Sequence, residues 1–176
     1  GKDEGLVCSD SRRPGGYDLA DKELAVLIAE VAGNEAHVAV LFDCCHSGSG
    51  TREVKAARGL KPRLTHEVTT ERPLDTYLDG YYSRLRDAQR PLFVPTARHI
   101  LLAACERGQL AQETPGHGLF TSTLVDVLEK SGGELSYADL FVRCRAAVRS
   151  RAFDQDPQFE AYQQFVEGGW NGLAFP

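Results

Sequence analysis

At 176 residues with 42% hydrophobic content, the chain is long enough for one domain with a core of its own. A net charge of −5 speaks against nucleic acid or an anionic membrane as partner, and no apolar run approaches the roughly 18–20 residues of a membrane span. Five cysteines, odd in number and scattered, make a poor disulfide framework and fit a reducing, cytoplasmic setting. Along the chain, Leu6-Val7 is predicted extended, and a loop follows through Gly16. Asp18 or Asp21 is expected to cap a helix over 20–32, with Leu24, Leu27, Ile28 and Val31 at helical spacing and Gly33-Asn34 ending it. Val38–Phe42 reads as a continuous, fully buried strand, so helix and strand form the αβ unit of a parallel sheet.

Residues 50–98 carry half of the chain's 20 lysines and arginines, interspersed with Pro62, Pro73, Pro91 and Pro95. They predict a long, exposed, partly irregular insertion with a short helix near 77–88. His99–Ala104 is a second buried strand. Leu119–Lys130 and Ser136–Ser150 are helices separated by Gly132-Gly133, the latter opening on a capping-box variant of Ser136 with Asp139. The tail from Asp156-Pro157 to Phe175 is expected to end in a closing strand. There is no methionine, even at position 1, and the opening Gly1-Lys2-Asp3-Glu4 is polar. The expectation is a piece of a longer protein.

The stretch richest in chemistry is Val38–Phe42 followed by Asp43-Cys44-Cys45-His46-Ser47-Gly48-Ser49-Gly50. An apolar strand stops at an acid, two thiols and a glycine-rich turn, which is how a buried strand delivers a nucleophile to the end of a sheet. Side chains alternate along a strand, so Asp43 and Cys45 share one face and Cys44 takes the other. One cysteine can then be a nucleophile and the other a small packing residue; a reduced pair ending an ordinary core strand is the bland alternative. The turn's backbone N–H groups suit an oxyanion.

Asp43-Cys44-Cys45-His46-Ser47-Gly48 resembles the Asp-x-Cys-His-Ser-Gly signature of metacaspases and the related bacterial caspase-like peptidases. The resemblance extends to Asp18–Leu24, His99–Glu113, Gly116–Leu124 and Gln155–Gln158, leaving 50–98 unaligned. It implies a caspase-like three-layer α/β/α sandwich with a mainly parallel sheet. It divides the chain into a large-subunit-like region (1–49) with the nucleophile, a basic linker (50–98) and a small-subunit-like region (99–176). It assigns the nucleophile to Cys45, attacking as the thiolate to give an acyl-enzyme, with the Cys45 N–H in the oxyanion hole. Caspases carry Gln two residues before the nucleophile, lining the P1 pocket. Asp43 stands there instead, which implies Arg or Lys at P1. The alternative for Asp43 is a strand-end carboxylate bonded to local N–H groups. Glu113 is a candidate subsite residue beside Glu106 and Gln109, with solvation the alternative for each.

In this family the histidine base lies roughly 50 residues before the cysteine, within a Ser-Gly-His-Gly turn. No such turn occurs before Cys45. His46 faces away from the nucleophile, His37 opens the strand at its far end, His66 lies in the insertion and His99 begins a core strand. Pro115-Gly116-His117-Gly118 imitates the turn but follows no apolar strand and leads straight into a helix. The base is therefore expected from an upstream segment or chain. Basic specificity and a basic linker together suggest self-cleavage of a zymogen at Arg52, Lys55, Arg58, Lys61 or Arg63, with a solvated linker as the alternative. Calcium is disfavoured: Asp21-Lys22 replaces an acidic pair and Gly50-Thr51-Arg52 offers a cation where an acid is wanted. Zinc at Cys44-Cys45-His46 is disfavoured because neighbouring ligands on opposite faces do not converge on one ion; no metal or cofactor is expected. The Arg143–Arg151 series reads as a solvated helix face. The function implied is cysteine endopeptidase action after Arg or Lys on a protein or peptide substrate, triggered by a sensor or protease and used in stress, defence or cell death. The alternatives are a non-catalytic caspase-like regulatory module and a neighbouring protease group with a similar Cys-His-Ser turn.

Overall fold

The structure is a computed structural model, and it describes residues 4–33, 35–44, 59–63 and 71–162. These fall into two compact units, one drawn from Gly1–Val38 and Val68–His99, the other from Ala39–Glu67 and Ile100–Pro176. Among the described residues, no helix is long and apolar enough to cross a membrane.

In the first unit, β1 (Gly5–Leu6) pairs antiparallel with β2 (Leu19–Ala20), which runs directly into helix α1 (Asp21–Ala32). Neither expected aspartate caps α1. Ala20 is the N-cap and has no side chain to offer, so Glu23 reaches back and accepts the Ala20 N–H at 2.9 Å. Asp18 is engaged elsewhere, with Arg12 at 2.8 Å.

Beyond a 3-10 turn (Leu74–Thr76) lies helix α2 (Tyr81–Asp87), inside the span where the sequence predicts a short helix. The described residues of this region are exposed or half-buried, with three exceptions. Tyr77, Tyr82 and Leu85 are buried with Val26 of α1 in one core. Arg72 ties this segment to α1. Its Nη1 and Nη2 donate to the two Glu23 carboxylate oxygens at 2.7 and 2.9 Å, and its remaining N–H groups reach the Asp18 and Thr76 carbonyls and the Thr76 hydroxyl. The guanidinium also lies over the Tyr77 ring at 4.0 Å and the Tyr17 ring at 4.9 Å. Leu78 (φ 45°) and Asp79 (φ 49°) are left-handed, which ordinarily costs about 1–2 kcal/mol each. The Leu78 N–H is held at 2.8 Å by Glu23, which ties that turn to α1.

The second unit contains β3 (Ala39–Phe42), β4 (Lys61–Pro62), β5 (His99–Ala103), β6 (Gln112–Thr114), β7 (His117–Gly118), α3 (Leu119–Ser131), α4 (Tyr137–Arg151) and β8 (Gln158–Tyr162). Strands β3 and β5 pair in parallel from Ala39↔Ile100 to Phe42↔Ala103, within a sheet ordered β3-β5-β8. That is the parallel αβ unit the sequence predicts. The second sheet, β4-β6-β7, is antiparallel wherever its pairs are described, so parallel pairing is confined to the first. The strand expected to be fully buried is not: Leu41 is 51% exposed and the rest of β3 is half-buried.

Helices α3 and α4 supply half of this unit's buried core, with Leu119, Phe120, Leu140, Cys144 and Val148 packed beside Leu102. Gly132 (φ 66°) takes the left-handed C-cap of α3, where a side chain would be strained. The Ser136 hydroxyl caps α4 by accepting the Asp139 N–H at 3.1 Å and donating to its carboxylate at 2.6 Å. The fully buried Gln155 accepts the Gln112 N–H at 2.9 Å and donates to the Ala104 carbonyl at 3.0 Å, tying β6 to the end of β5. The tail beyond 162, with its expected closing strand, lies outside the described residues, but β8 does begin directly after Asp156-Pro157.

Candidate active site

Asp43 follows β3 immediately, and the parallel pairing with β5 fixes where that strand ends. Its carboxylate points at the start of α3. Oδ2 accepts the Thr121 hydroxyl at 2.7 Å and the Thr121 N–H at 3.2 Å. Thr121 is the third residue of α3, so Asp43 performs from 78 residues away what an N-cap side chain does locally. The N-cap position itself holds Gly118, and a Cβ there would collide with the Asp43 carboxylate and press on Arg63. The β6–β7 hairpin, turning at Pro115-Gly116 with Gly116 left-handed (φ 89°), delivers Gly118 to this place.

Arg63 completes the cluster. Its Nη1 donates to the Asp43 carbonyl at 3.0 Å and lies 3.2 Å from Asp43 Oδ2, while its Nε is 3.7 Å from Glu113 Oε2. The Asp43 side chain is 12% exposed, those of Arg63 and Glu113 are 38% and 43%. Asp43 Oδ1 is buried and has no hydrogen-bond partner among the described residues. The arrangement is a recessed carboxylate, reinforced by a helix N-terminus, with a second acid at its rim. Such an arrangement can accept a guanidinium group, as it does that of Arg63.

A family profile for the caspase domain matches residues 3–166. The chain belongs to the caspase-domain family. That family is one of cysteine peptidases. A solved protein of Geobacter sulfurreducens, determined as a structural-genomics target, is similar in fold, with a TM-score of 0.57 at 20% identity. The match covers 95% of this chain and 65% of that structure, so the chain spans under two thirds of its relative's length. No curated protein matches.

Of the residues singled out from sequence, Cys45 and its turn, with Arg52, Lys55 and Arg58, lie outside the described residues. The structure brings Asp43, Arg63 and Glu113 together; Lys61 sits opposite Glu113 in the β4–β6 ladder. Among the described residues, the Asp43 carboxylate is met by Thr121 and Arg63. Gln109 organises a loop: its Oε1 accepts the Asp156 N–H at 2.7 Å and the Glu106 N–H at 3.2 Å. His117 is exposed on β7, and its carbonyl accepts the Thr114 hydroxyl at 3.1 Å. Cys44 lends its carbonyl to the buried Cys105 thiol, with the sulfur 3.8 Å away. The Cys144 thiol is pushed up to about 12, by burial first and by the Asp43 charge second, which keeps it from acting as a nucleophile near neutrality.

The arginine series is the solvated helix face that the sequence implies, with Arg143, Arg149 and Arg151 exposed. Arg145 grips Asp156 through two bonds of 2.6 and 2.7 Å, and this grip holds the Asp156 carboxyl below its ordinary value. Sequence reasoning missed Thr121 and Gly118. The one signal available was the succession Gly-Leu-Phe-Thr, a bare N-cap followed by Thr at the third helical position.

Proposed function

We propose that this chain is part of a caspase-like cysteine endopeptidase that cleaves proteins after Arg or Lys. Cys45 is the nucleophile and its backbone N–H one donor to the oxyanion. The histidine base comes from a segment or chain upstream, since no histidine here lies in the family's turn. One observation carries the specificity: the Asp43 carboxylate, two residues before Cys45, holds a guanidinium, that of Arg63. A side chain that grips arginine in this position would repel an acidic P1 residue by like charge. Among the described residues β3 is an edge strand, which supports the upstream segment because another strand could pair there. In this reading the enzyme works in the cytoplasm and needs neither calcium nor another cofactor. A sensor or protease triggers it, and cutting among Arg52, Lys55, Arg58, Lys61 and Arg63 matures the zymogen.

The test is an assay of the full-length protein on fluorogenic peptides with Arg or Asp at P1, with and without a chelator, followed by electrophoresis. Turnover of the Arg peptide alone is expected, indifferent to the chelator and abolished by Cys45→Ala, with self-cleavage confined to 52–63. Turnover that survives Cys45→Ala would remove the nucleophile. A protein inert on both peptides would favour a regulatory module without catalysis.

A further inference from the structure

The segment that carries Arg63 is placed as a bound peptide would be. Lys61 pairs antiparallel with Glu113 and Pro62 with Gln112, and the Arg63 N–H donates to the Ala111 carbonyl at 2.9 Å. An extended peptide that adds itself to a sheet edge makes this kind of ladder, with backbone bonds for affinity and alternate side chains for specificity. Here the side chain that enters the specificity pocket is an arginine, and the pocket is the Asp43–Glu113 pair.

The fit is that of a replaceable guest. The described ladder is only two residue pairs and one flanking bond long, and Pro62 contributes no N–H to it. Arg63 reaches Asp43 through a single nitrogen and Oδ1 has no partner among the described residues, whereas an unconstrained arginine could present a two-nitrogen fork to both oxygens. What keeps the segment in place is its tether: Leu60, immediately before the strand, packs on the core. A tethered ligand competes at an effective concentration on the order of millimolar.

We propose that Lys61-Pro62-Arg63 is a built-in occupant of a groove for basic peptides formed by β6, Asp43 and Glu113, held in the P3–P1 register, which a substrate must displace. The inference rests on the reading of Asp43 as the arginine pocket. It makes the groove self-blocked until that strand leaves. If the strand fills the pocket about nine-tenths of the time, the apparent Kd for an outside peptide is raised about tenfold.

Binding tests this without catalysis. The full-length protein carrying Cys45→Ala is titrated against a fluorescein-labelled peptide ending in Lys-Pro-Arg, read by anisotropy, and compared with Cys45→Ala/Arg63→Gln. The double variant should bind about tenfold more tightly; equal or weaker binding overturns the proposal. A second measurement guards against misfolding of the double variant. Deuterium uptake at 59–63 in Cys45→Ala protein should rise when the peptide saturates it, and unchanged uptake, or no binding at millimolar peptide, overturns the proposal. Tighter binding in a protein that never cleaves Arg peptides would sink only the catalytic reading. Cleavage of Arg peptides with unchanged affinity would sink only this one.

Discussion

Glu23 and Asp43 are two versions of one device, an acid at a helix N-terminus facing an arginine, and they differ in how completely the device is closed. Around Glu23 everything is used. Its oxygens take two bonds from Arg72 and one each from the Ala20 and Leu78 N–H groups, and Arg72 spends its other N–H groups on Asp18 and Thr76. Side-chain exposure there is 3% for the acid and 14% for the arginine. Asp43 also serves a helix, but one oxygen has no partner among the described residues and its arginine is 38% exposed. A closed ion pair is a structural fixture. An open one, with spare acceptor capacity and a loosely held partner, is what a binding site looks like when something is standing in for its ligand.

The largest effect expected from breaking this comparison is on stability. Arg72→Met strands a buried carboxylate and should cost about 3–5 kcal/mol, whereas Arg63→Met should cost less than about 1 kcal/mol. Urea denaturation of the two variants measures both, and equal losses would erase the distinction. Acid sharpens it. Burial pushes the Glu23 carboxyl up, but bonds from Arg72, Ala20 and Leu78 and the guanidinium charge outweigh this and hold it below the ordinary 4.5. A lowered folded-state value means that the stabilisation is present above the unfolded value and is lost as pH falls through the folded one. Between about pH 5 and pH 3 the urea midpoint should therefore fall more steeply in the wild type than in Glu23→Gln. Parallel curves would mean that Glu23 is not the group responsible.

The two acids also show what the sequence could and could not disclose. Continuous apolar runs carry the β3 and β5 strands and apolar periodicity the α1, α3 and α4 helices, because each pattern is displayed within a single segment. The family resemblance pointed to Asp43 because two residues before the cysteine is a fixed distance along the chain. Arg72 was invisible for the opposite reason: its partner lies 49 residues away, and nothing local distinguishes it from the other basic residues of 50–98. Thr121 is separated from Asp43 by 78 residues. Strands β4, β6 and β7 are two or three residues long, too short for alternation to register. What set Arg63 apart from Lys61, two residues away, was its seat in the fold, not its composition or spacing.

Within the open site the two acids should be unequal, which provides the smallest and most discriminating effect. Asp43 is recessed and gathers a helix N-terminus behind it, so Asp43→Asn removes a charge-assisted bond worth about 1.5–3 kcal/mol. On Arg-P1 peptides kcat/KM should drop roughly 10- to 100-fold. The amide can still accept from Thr121, so α3 should hold and the unfolding midpoint should move little. Glu113 sits at the rim, 43% exposed and 3.7 Å from the guanidinium nitrogen, where solvent and salt screen its charge. Glu113→Gln should therefore cost less than about tenfold, acting through KM and fading as salt is added. A Glu113 variant as damaged as the Asp43 variant, or a loss that salt leaves untouched, would mean that the rim acid reaches into the pocket when a substrate is bound. The specificity would then belong to the pair and not to Asp43.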